Sequence, residues 1–180
     1  MSKKIIVIST SLRQGGNSDI LADEFIKGAL ENGNKIEKIS LKDKEIKFCK
    51  GCLACQNTKK CIINDDMSEI IGKIKEADAI VFATPIYYYE MSGQMKTLLD
   101  RTNPLFADEY KFRDIYLLIT AADDVETAAD GAIKGLNGWI ECFDKTTLKG
   151  VVKGLASTNM GDIKAHTEVL QEAYEMGRTV

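Results

Sequence analysis

The sequence contains a single histidine, His166, and only two prolines in 180 residues. One histidine leaves almost no room for histidine-ligated metal sites or for a histidine-based catalytic triad. Neither sign of charge predominates, because the chain has 24 Lys and Arg and 27 Asp and Glu, which give a net charge of −3. This mild acidic balance gives no support to a nucleic-acid partner or to an anionic membrane surface.

Long hydrophobic runs are absent as well. The longest, such as residues 5–8, 79–83 and 115–119, fall far short of the ~20 residues that a membrane span needs. Residues 1–4 lead straight into a strand-like run without the apolar core or cleavage pattern of a signal peptide. We therefore expect a cytoplasmic protein with no membrane partner, and the length predicts one domain over residues 1–180.

What the sequence does contain is a regular alternation of strand-like and helix-like segments. Strands are predicted at residues 5–8, 36–41, 79–84, 115–120 and 148–156. Helices are predicted at residues 20–32, 67–77, 92–101, 127–143 and 163–177. Five such alternations indicate an α/β fold with a parallel sheet and helices on both faces. The length favours the doubly wound, five-stranded order 2-1-3-4-5 of flavodoxin-like domains over a six-stranded dinucleotide fold.

The loop after the first strand, residues 9–18, has the composition of a phosphate site. Serine hydroxyls, two adjacent glycines and an arginine precede a helix N-terminus, where amides and the helix dipole favour anions. The alternative is a turn with a helix cap. Neither a P-loop nor a dinucleotide fingerprint is present, so a monophosphate such as that of FMN is favoured. The candidate ligands are Ser9, Ser11, Arg13, Asn17 and Ser18.

Three motifs occur in order along the chain. They are Ser11-x-Arg13-x-x-x-Asn17-Ser18, Thr84-Pro85-Ile86-Tyr87-Tyr88 and Met95-Lys96-x-x-x-Asp100-Arg101. Together they resemble the NAD(P)H-dependent FMN reductase branch of the flavodoxin superfamily. The resemblance implies bound FMN, NAD(P)H as co-substrate, and pairing of subunits into a homodimer or homotetramer.

The ring of such a cofactor is expected where the first, third and fourth strands end side by side, at the topological switch point. Residues 84–91 and 120–124 follow two of these strands. Tyrosines in the first of these loops either face a ring system or merely cover the core. The resemblance implies that backbone amides from Pro85 to Tyr88 line the ring and that the loop from Thr120 closes its other side. The residues assigned to it are Thr84, Pro85, Ile86, Tyr87, Tyr88, Thr120 and Ala121.

Four of the five cysteines lie within 13 residues, in a segment of little periodicity at residues 42–66. Such a long irregular stretch in a compact domain is typically functional or disordered, and we treat it as a cysteine-rich insertion loop. The spacing of Cys49, Cys52, Cys55 and Cys61 is similar to that of iron–sulfur flavoproteins. Three possibilities stay open for these residues: a [4Fe-4S] cluster, free or redox-active thiols, and zinc.

The resulting prediction is an FMN-dependent oxidoreductase that passes electrons from NAD(P)H to a quinone, nitro compound, flavin or similar small-molecule acceptor. No catalytic side chain is expected, because the flavin carries the chemistry. Asp65 and Asp66 are interpreted as charges at a helix start. One alternative is an iron–sulfur flavoprotein that takes electrons from a ferredoxin. The other is a non-catalytic redox-sensing module that uses the cysteine loop.

Overall fold

The computed structural model of the protein describes residues 2–180. The strands are β1 (Lys4–Ser9), β2 (Lys35–Ser40), β3 (Ala79–Tyr87), β4 (Glu90–Met91), β5 (Asp114–Thr120) and β6 (Thr147–Gly154). The α-helices are α1 (Asn17–Glu31), α2 (Ala54–Thr58), α3 (Met67–Lys75), α4 (Gly93–Arg101), α5 (Asn103–Phe106), α6 (Asp130–Ile140) and α7 (Thr167–Arg178). Short 3-10 helices lie at Glu126–Ala129 and Asp162–Ala165.

Five of the strands form a parallel sheet in the order β2-β1-β3-β5-β6. Counted along the chain, this order is 2-1-3-4-5, so the predicted flavodoxin-like sheet is confirmed. The two-residue strand β4 was not predicted. It pairs antiparallel with the end of β3 and turns the chain back toward α4.

Side chains that alternate along β1 reach two separate hydrophobic clusters, one on each face of the sheet. Ile6 and Ile8 pack in a cluster with residues of α3, α4 and α6. Ile5 and Val7 pack in a cluster with residues of α1 and α7. A strand that is buried on both faces needs a continuous apolar run, which explains why β1, β3 and β5 stand out in the sequence.

The first and last helices cross closely because glycines meet at the crossing. A Cβ on Gly28 would overlap the carbonyl oxygen of Tyr174, and a Cβ on Gly177 would overlap that of Phe25. The C-terminal helix is thereby held directly against α1, and it covers one face of the sheet together with that helix.

The structure changes the bounds of three predicted segments. β3 runs to Tyr87 rather than to residue 84. The helix expected at residues 163–177 is a 3-10 turn at Asp162–Ala165 followed by α7. The helix expected at residues 127–143 is a 3-10 turn followed by α6, which ends at Ile140. The cysteine-rich segment is irregular as expected, apart from the five-residue helix α2. Over residues 2–180, the helices are too short or too polar to cross a membrane.

Candidate functional site

A pocket of about 690 Å³, counted with its open mouth, lies at the carboxyl edge of the sheet, beside the ends of β1, β3, β5 and β6. Its lining comes from four separate stretches of chain. The lining residues are Ser11, Arg13, Gly16, Asn17, Ser18, Pro85, Ile86, Tyr87, Thr120, Ala122, Ser157, Thr158 and Met160.

One end of this pocket lies at the N-terminus of α1. The Ser18 hydroxyl there is buried and has no hydrogen-bond partner within residues 2–180. A buried hydroxyl without a partner costs free energy, which a ligand oxygen would recover. A Cβ at Gly16 would come within 2.9 Å of Ser11 Oγ and 3.0 Å of the Arg13 carbonyl. Glycine therefore keeps this end of the pocket open.

The charge at this end is positive. In the described part of the chain, the exposed Arg13 guanidinium forms neither an ion pair nor a hydrogen bond. Asp19 in the first helical turn would repel an anion, but Lys38 Nζ lies 2.7 Å from its Oδ1. Burial would raise the pKa of Asp19, but the hydrogen bond and charge of Lys38 outweigh burial and lower it. The pairing compensates the Asp19 charge and leaves that of Arg13 available.

The side chain of Asn17 is committed to the protein itself. Its Nδ2 donates to the carbonyls of Ser157 at 2.9 Å and Asn159 at 2.8 Å, and its Oδ1 accepts from the Gly161 amide at 2.9 Å. Asn17 also lines the pocket, so its expected role at the phosphate stays a prediction that its side chain does not serve. Asn17 fastens the loop after β6 to α1, and only its backbone amide, in the first helical turn, remains for an anion.

The other end of the pocket lies beside a tight hairpin between β3 and β4. Tyr88 and Tyr89 at its tip have positive φ angles of 51° and 64°. Two consecutive positive φ values are typical of a type I′ turn, which usually contains Asn-Gly. The Tyr88 side chain is 99% exposed and does not line the pocket, so its expected place beside a ring stays a prediction for its backbone amide. Tyr87 does line the pocket.

Three further predicted residues lie behind the lining rather than in it. Ser9 and Thr84 are fully buried at the ends of β1 and β3. The Thr84 hydroxyl accepts a hydrogen bond from the Ser92 amide at 3.1 Å and so supports the start of α4. Ala121 is also buried, and its neighbour Ala122 takes its expected place in the pocket.

The loop after β6 contributes a wall that the sequence analysis missed. Ser157, Thr158 and Met160 line the pocket from this loop. A signal was available, because β6 ends at the same edge of the parallel sheet and is followed by small polar residues. On the ring side, the Tyr89 hydroxyl donates to Asp123 Oδ2 at 2.7 Å and ties the two predicted ring loops together.

A second pocket, about 380 Å³ with its mouth, is lined by all four clustered cysteines. All four are free thiols, and Cys55 is the buried one. Burial raises the pKa of Cys55, and the neighbouring Cys49, Cys52 and Cys61 raise it further, so the four sulfurs lie within interaction range. In residues 2–180, no group of three or more potential ligands has metal-binding geometry. The thiols share a pocket without forming a closed ligand set.

The chain around these thiols is suited to sulfur ligands. Gly51 and Leu53 adopt left-handed conformations, with φ of 63° and 57°, which fold the segment tightly. The Gly51 amide donates to Cys49 Sγ at 3.5 Å, and Asn103 Nδ2 lies 3.9 Å from the same sulfur. Hydrogen bonds of this kind surround cysteine-ligated iron–sulfur clusters. Four thiolate donors with N–H···S contacts fit such a cluster in their chemistry.

An ion pair between Arg101 and Asp65 holds the cysteine segment against α4, and both side chains are fully buried. Arg101 Nη1 and Nη2 donate to the two Asp65 oxygens at 2.6 and 2.9 Å, and Nη1 also donates to the Lys47 carbonyl at 2.6 Å. We call these contacts the clasp. Burial would raise the pKa of Asp65, but the Arg101 hydrogen bonds outweigh it and lower the pKa. The sequence predicted Asp65 only as a charge at a helix start. In the structure it also binds Arg101 and holds the cysteine segment in place.

The two pockets share no lining residue. The carboxyl-edge pocket lies beside the hairpin that precedes α4, whereas Asp100 and Arg101 at the C-terminal end of α4 line the cysteine pocket. The segment leaves the sheet at the expected edge after β2, but its thiols lie at the far end of this nine-residue helix. Within one chain, the two pockets are separate sites.

Comparison with known proteins finds relatives of two kinds, iron–sulfur flavoproteins and an FMN-containing oxidoreductase. An iron–sulfur flavoprotein from Methanocaldococcus jannaschii is 45% identical over 102 residues, which cover 57% of this chain and 53% of the relative. The chain spans about half the length of the curated iron–sulfur flavoproteins that it matches most strongly. A Bacillus subtilis protein, provisionally named an NAD(P)H-dependent FMN-containing oxidoreductase, is 28% identical over 96% of both chains.

Solved structures show the same fold. An NAD(P)H:quinone oxidoreductase from Methanothermobacter marburgensis superposes with a TM-score of 0.78 over 99% of this chain and 96% of that one, at 16% identity. A sequence model of the NADPH-dependent FMN reductase family matches residues 3–142, more than three quarters of the chain. This match agrees with the predicted oxidoreductase class. The chain belongs to the NADPH-dependent FMN reductase family.

Proposed function

We propose that the carboxyl-edge pocket binds FMN and that the protein works as an FMN-dependent oxidoreductase. The observation that carries this proposal is the buried, partnerless Ser18 hydroxyl beside the unpaired Arg13 at the N-terminus of α1. Such a cradle fits a phosphate group. The remainder of the pocket runs past Pro85 and Ile86 to Tyr87, which provides a wall for a flat ring system.

When bound, FMN supplies reversible transfer of a hydride or of single electrons. The residues of this chain bind and orient it. Arg13 and the first amides of α1 hold the phosphate, and Gly16 leaves room for it. Pro85 restricts the backbone of the ring loop, and the link between Tyr89 and Asp123 fixes the two ring loops relative to each other.

NAD(P)H is the proposed electron donor, and a quinone, nitro compound, flavin or similar small molecule is the proposed acceptor. Family membership supports the donor. Half-exposed Tyr87 and exposed Met160 at the pocket mouth support access by a second small molecule. The test is anaerobic mixing of the FMN-loaded protein with NADH or NADPH while the flavin absorbance is followed.

Rapid bleaching of the flavin by either nucleotide is the expected result. A protein that does not bind FMN at micromolar concentration would contradict the whole proposal. Bound FMN that only reduced ferredoxin can bleach would replace NAD(P)H by a protein donor, as in the iron–sulfur alternative.

The four cysteines favour a second component, a [4Fe-4S] cluster in the cysteine pocket. Its support is the shared pocket of free thiols, the N–H···S contacts to Cys49 and the names of the relatives. Because the two pockets of one chain are separate, pairing of subunits into a homodimer or homotetramer is the proposed means of bringing a cluster near a flavin.

Iron and acid-labile sulfide in anaerobically purified protein test the cluster. About four irons per chain are expected in the wild type and in Cys142→Ser, whose thiol lies outside the cysteine pocket, and far fewer in Cys55→Ser. Stoichiometric zinc would assign a structural zinc site instead. The protein could instead be metal-free, oxidise its thiols reversibly and fail to turn over NAD(P)H. That result would favour the alternative of a redox-sensing module.

A further inference from the structure

Arg101 is more than one half of an ion pair. Its guanidinium is buried beside the cysteine pocket and lines it. Nη1 and Nη2 are occupied by Asp65 and by backbone carbonyls. Nε is buried and has no hydrogen-bond partner within residues 2–180. A buried charged donor without an acceptor is costly, so a missing acceptor beside it is expected.

Sulfur is the acceptor that the surroundings offer. Arg101 and Cys61 line the same pocket, together with the other three clustered cysteines. The clasp also brackets the cysteines in the chain. Nη1 binds the Lys47 carbonyl before the first cysteine, and Nη2 lies 3.5 Å from the Ile63 carbonyl after the last. One side chain therefore closes the loop and has a free, buried donor beside the pocket that the cysteines line.

We propose that Arg101 is a positioning residue that closes the cysteine segment and donates its Nε–H to Cys61 Sγ or to an adjacent cluster sulfide. The proposal rests on the cluster proposed above. A hydrogen bond to sulfur stabilises the additional negative charge that a cluster carries after it accepts one electron. Arg101 therefore raises the reduction potential of the cluster in addition to holding the loop.

Two matched variants separate these roles. Arg101→Lys keeps a positive charge but removes the Nε donor and the fork that binds Asp65 in a bidentate manner. Asp65→Asn weakens the clasp but leaves the Nε donor of Arg101 in place. The measurement is a reductive titration of the cluster followed by electron paramagnetic resonance. At the wild-type midpoint, we expect Arg101→Lys to reduce the ratio of reduced to oxidised cluster at least tenfold, equivalent to 59 mV.

Asp65→Asn is expected to leave that ratio unchanged or to increase it, because a nearby negative charge is removed. Equal potentials in wild type and Arg101→Lys would overturn the hydrogen bond to sulfur. Wild-type protein that holds no iron would contradict the proposed cluster, and with it the proposed effect of Arg101 on the reduction potential. The two failures are thus distinguishable by iron content.

The closing role has its own measurement, which does not depend on whether Arg101→Lys folds. In hydrogen exchange of the apo protein, Asp65→Asn should accelerate amides of residues 47–63 at least tenfold while residues 9–18 exchange as in the wild type. Unchanged exchange in residues 47–63 would overturn the positioning role.

Discussion

The two pockets of this protein are built in opposite ways. The carboxyl-edge pocket is formed by loops that follow four strands of a rigid sheet, whereas one irregular segment and the end of α4 supply the cysteine pocket. Each pocket has one arginine in its lining. Arg13 is exposed and unpaired among the described residues, while Arg101 is buried and binds Asp65.

This difference shows how the same side chain serves binding in one place and construction in another. A sheet edge already holds its loops in place, so Arg13 can keep its donors for a ligand. The cysteine segment has no sheet to support it, so Arg101 uses two of its nitrogens to hold the chain. We expect variants at the first pocket to affect ligand affinity and variants at the second to affect stability.

Breaking the clasp is expected to have the largest effect. Asp65→Ala leaves the Arg101 charge buried without its partner, a change that costs about 3–5 kcal/mol of folding free energy. Urea unfolding measures this loss, and a fluorescence titration checks that FMN affinity stays within twofold of the wild type. A loss below about 1 kcal/mol would show that water or another group replaces the carboxylate. The contrast between a binding arginine, Arg13, and a structural arginine, Arg101, would then not hold.

Acid should weaken the same interaction. The pKa of Asp65 is lower in the folded protein than in the unfolded chain, so the unfolded state binds more protons at acid pH. The stabilisation is present above the unfolded pKa of about 4 and disappears as the pH falls through the lower folded pKa. Unfolding free energies from pH 6 to pH 2 should fall more steeply for the wild type than for Asp65→Ala. Parallel curves would mean that Asp65 does not titrate in this way.

Removing Arg13 should have the largest effect on the flavin. Each charge-assisted hydrogen bond contributes about 1.5–3 kcal/mol, so Arg13→Ala should weaken FMN binding by roughly 10- to 100-fold. Equilibrium titration measures this change. Arg178→Ala, on the exposed end of α7, is the matched control and should bind FMN as the wild type does. Full flavin occupancy of Arg13→Ala at micromolar concentration would contradict the phosphate assignment.

Filling the phosphate cradle should have an intermediate effect. In Gly16→Ala, the new methyl group meets Ser11 Oγ and the Arg13 carbonyl, and overpacking of this kind costs about 1–3 kcal/mol. We expect a weaker affinity for FMN by this amount. Gly72→Ala is the control, because it adds a methyl group to open space in α3 and should raise stability by up to about 1 kcal/mol. Unchanged FMN affinity in Gly16→Ala would place the phosphate elsewhere.

The smallest expected effect is the most specific. Ser18→Ala removes a buried hydroxyl that has no partner within the described chain, so the apo protein should be as stable as the wild type or slightly more stable. FMN affinity should nevertheless fall by about 1 kcal/mol, the contribution of one hydrogen bond. Calorimetry of the apo protein and an FMN titration test the two halves. Lower stability without a loss of affinity would give Ser18 a purely structural role.

The sheet and its edge could be predicted from the sequence because they depend on local patterns. Apolar runs at β1, β3 and β5 mark strands that are buried on both faces, and their order places the polar loops at one edge. Eight of the twelve residues assigned to the cofactor line the observed pocket: Ser11, Arg13, Asn17, Ser18, Pro85, Ile86, Tyr87 and Thr120.

The features of the two pockets that the sequence did not predict depend mainly on residues that are distant from each other in the chain. The side chain of Asn17 bonds to residues 140 or more positions later, and nothing near it in the sequence indicates this. Asp65 and Arg101 are 36 residues apart, so each looks like an ordinary surface charge at a helix end. The family resemblance places the backbone of Tyr88 beside the ring, but it does not indicate the turn, because positive φ angles are rare for bulky residues such as tyrosine.

The bonds of Asn17 also have a consequence for the order in which the protein is completed during synthesis. Asn17, in the loop after β1, leaves the ribosome 140 residues before its partner Ser157 and 142 residues before Asn159. β6 must join the sheet before they can reach Asn17. A nascent chain that ends before residue 155 can contain β1, β2, β3 and β5 and still lack one wall of the pocket. If the pocket binds a flavin as proposed, tight binding is therefore expected only after β6 has joined the sheet.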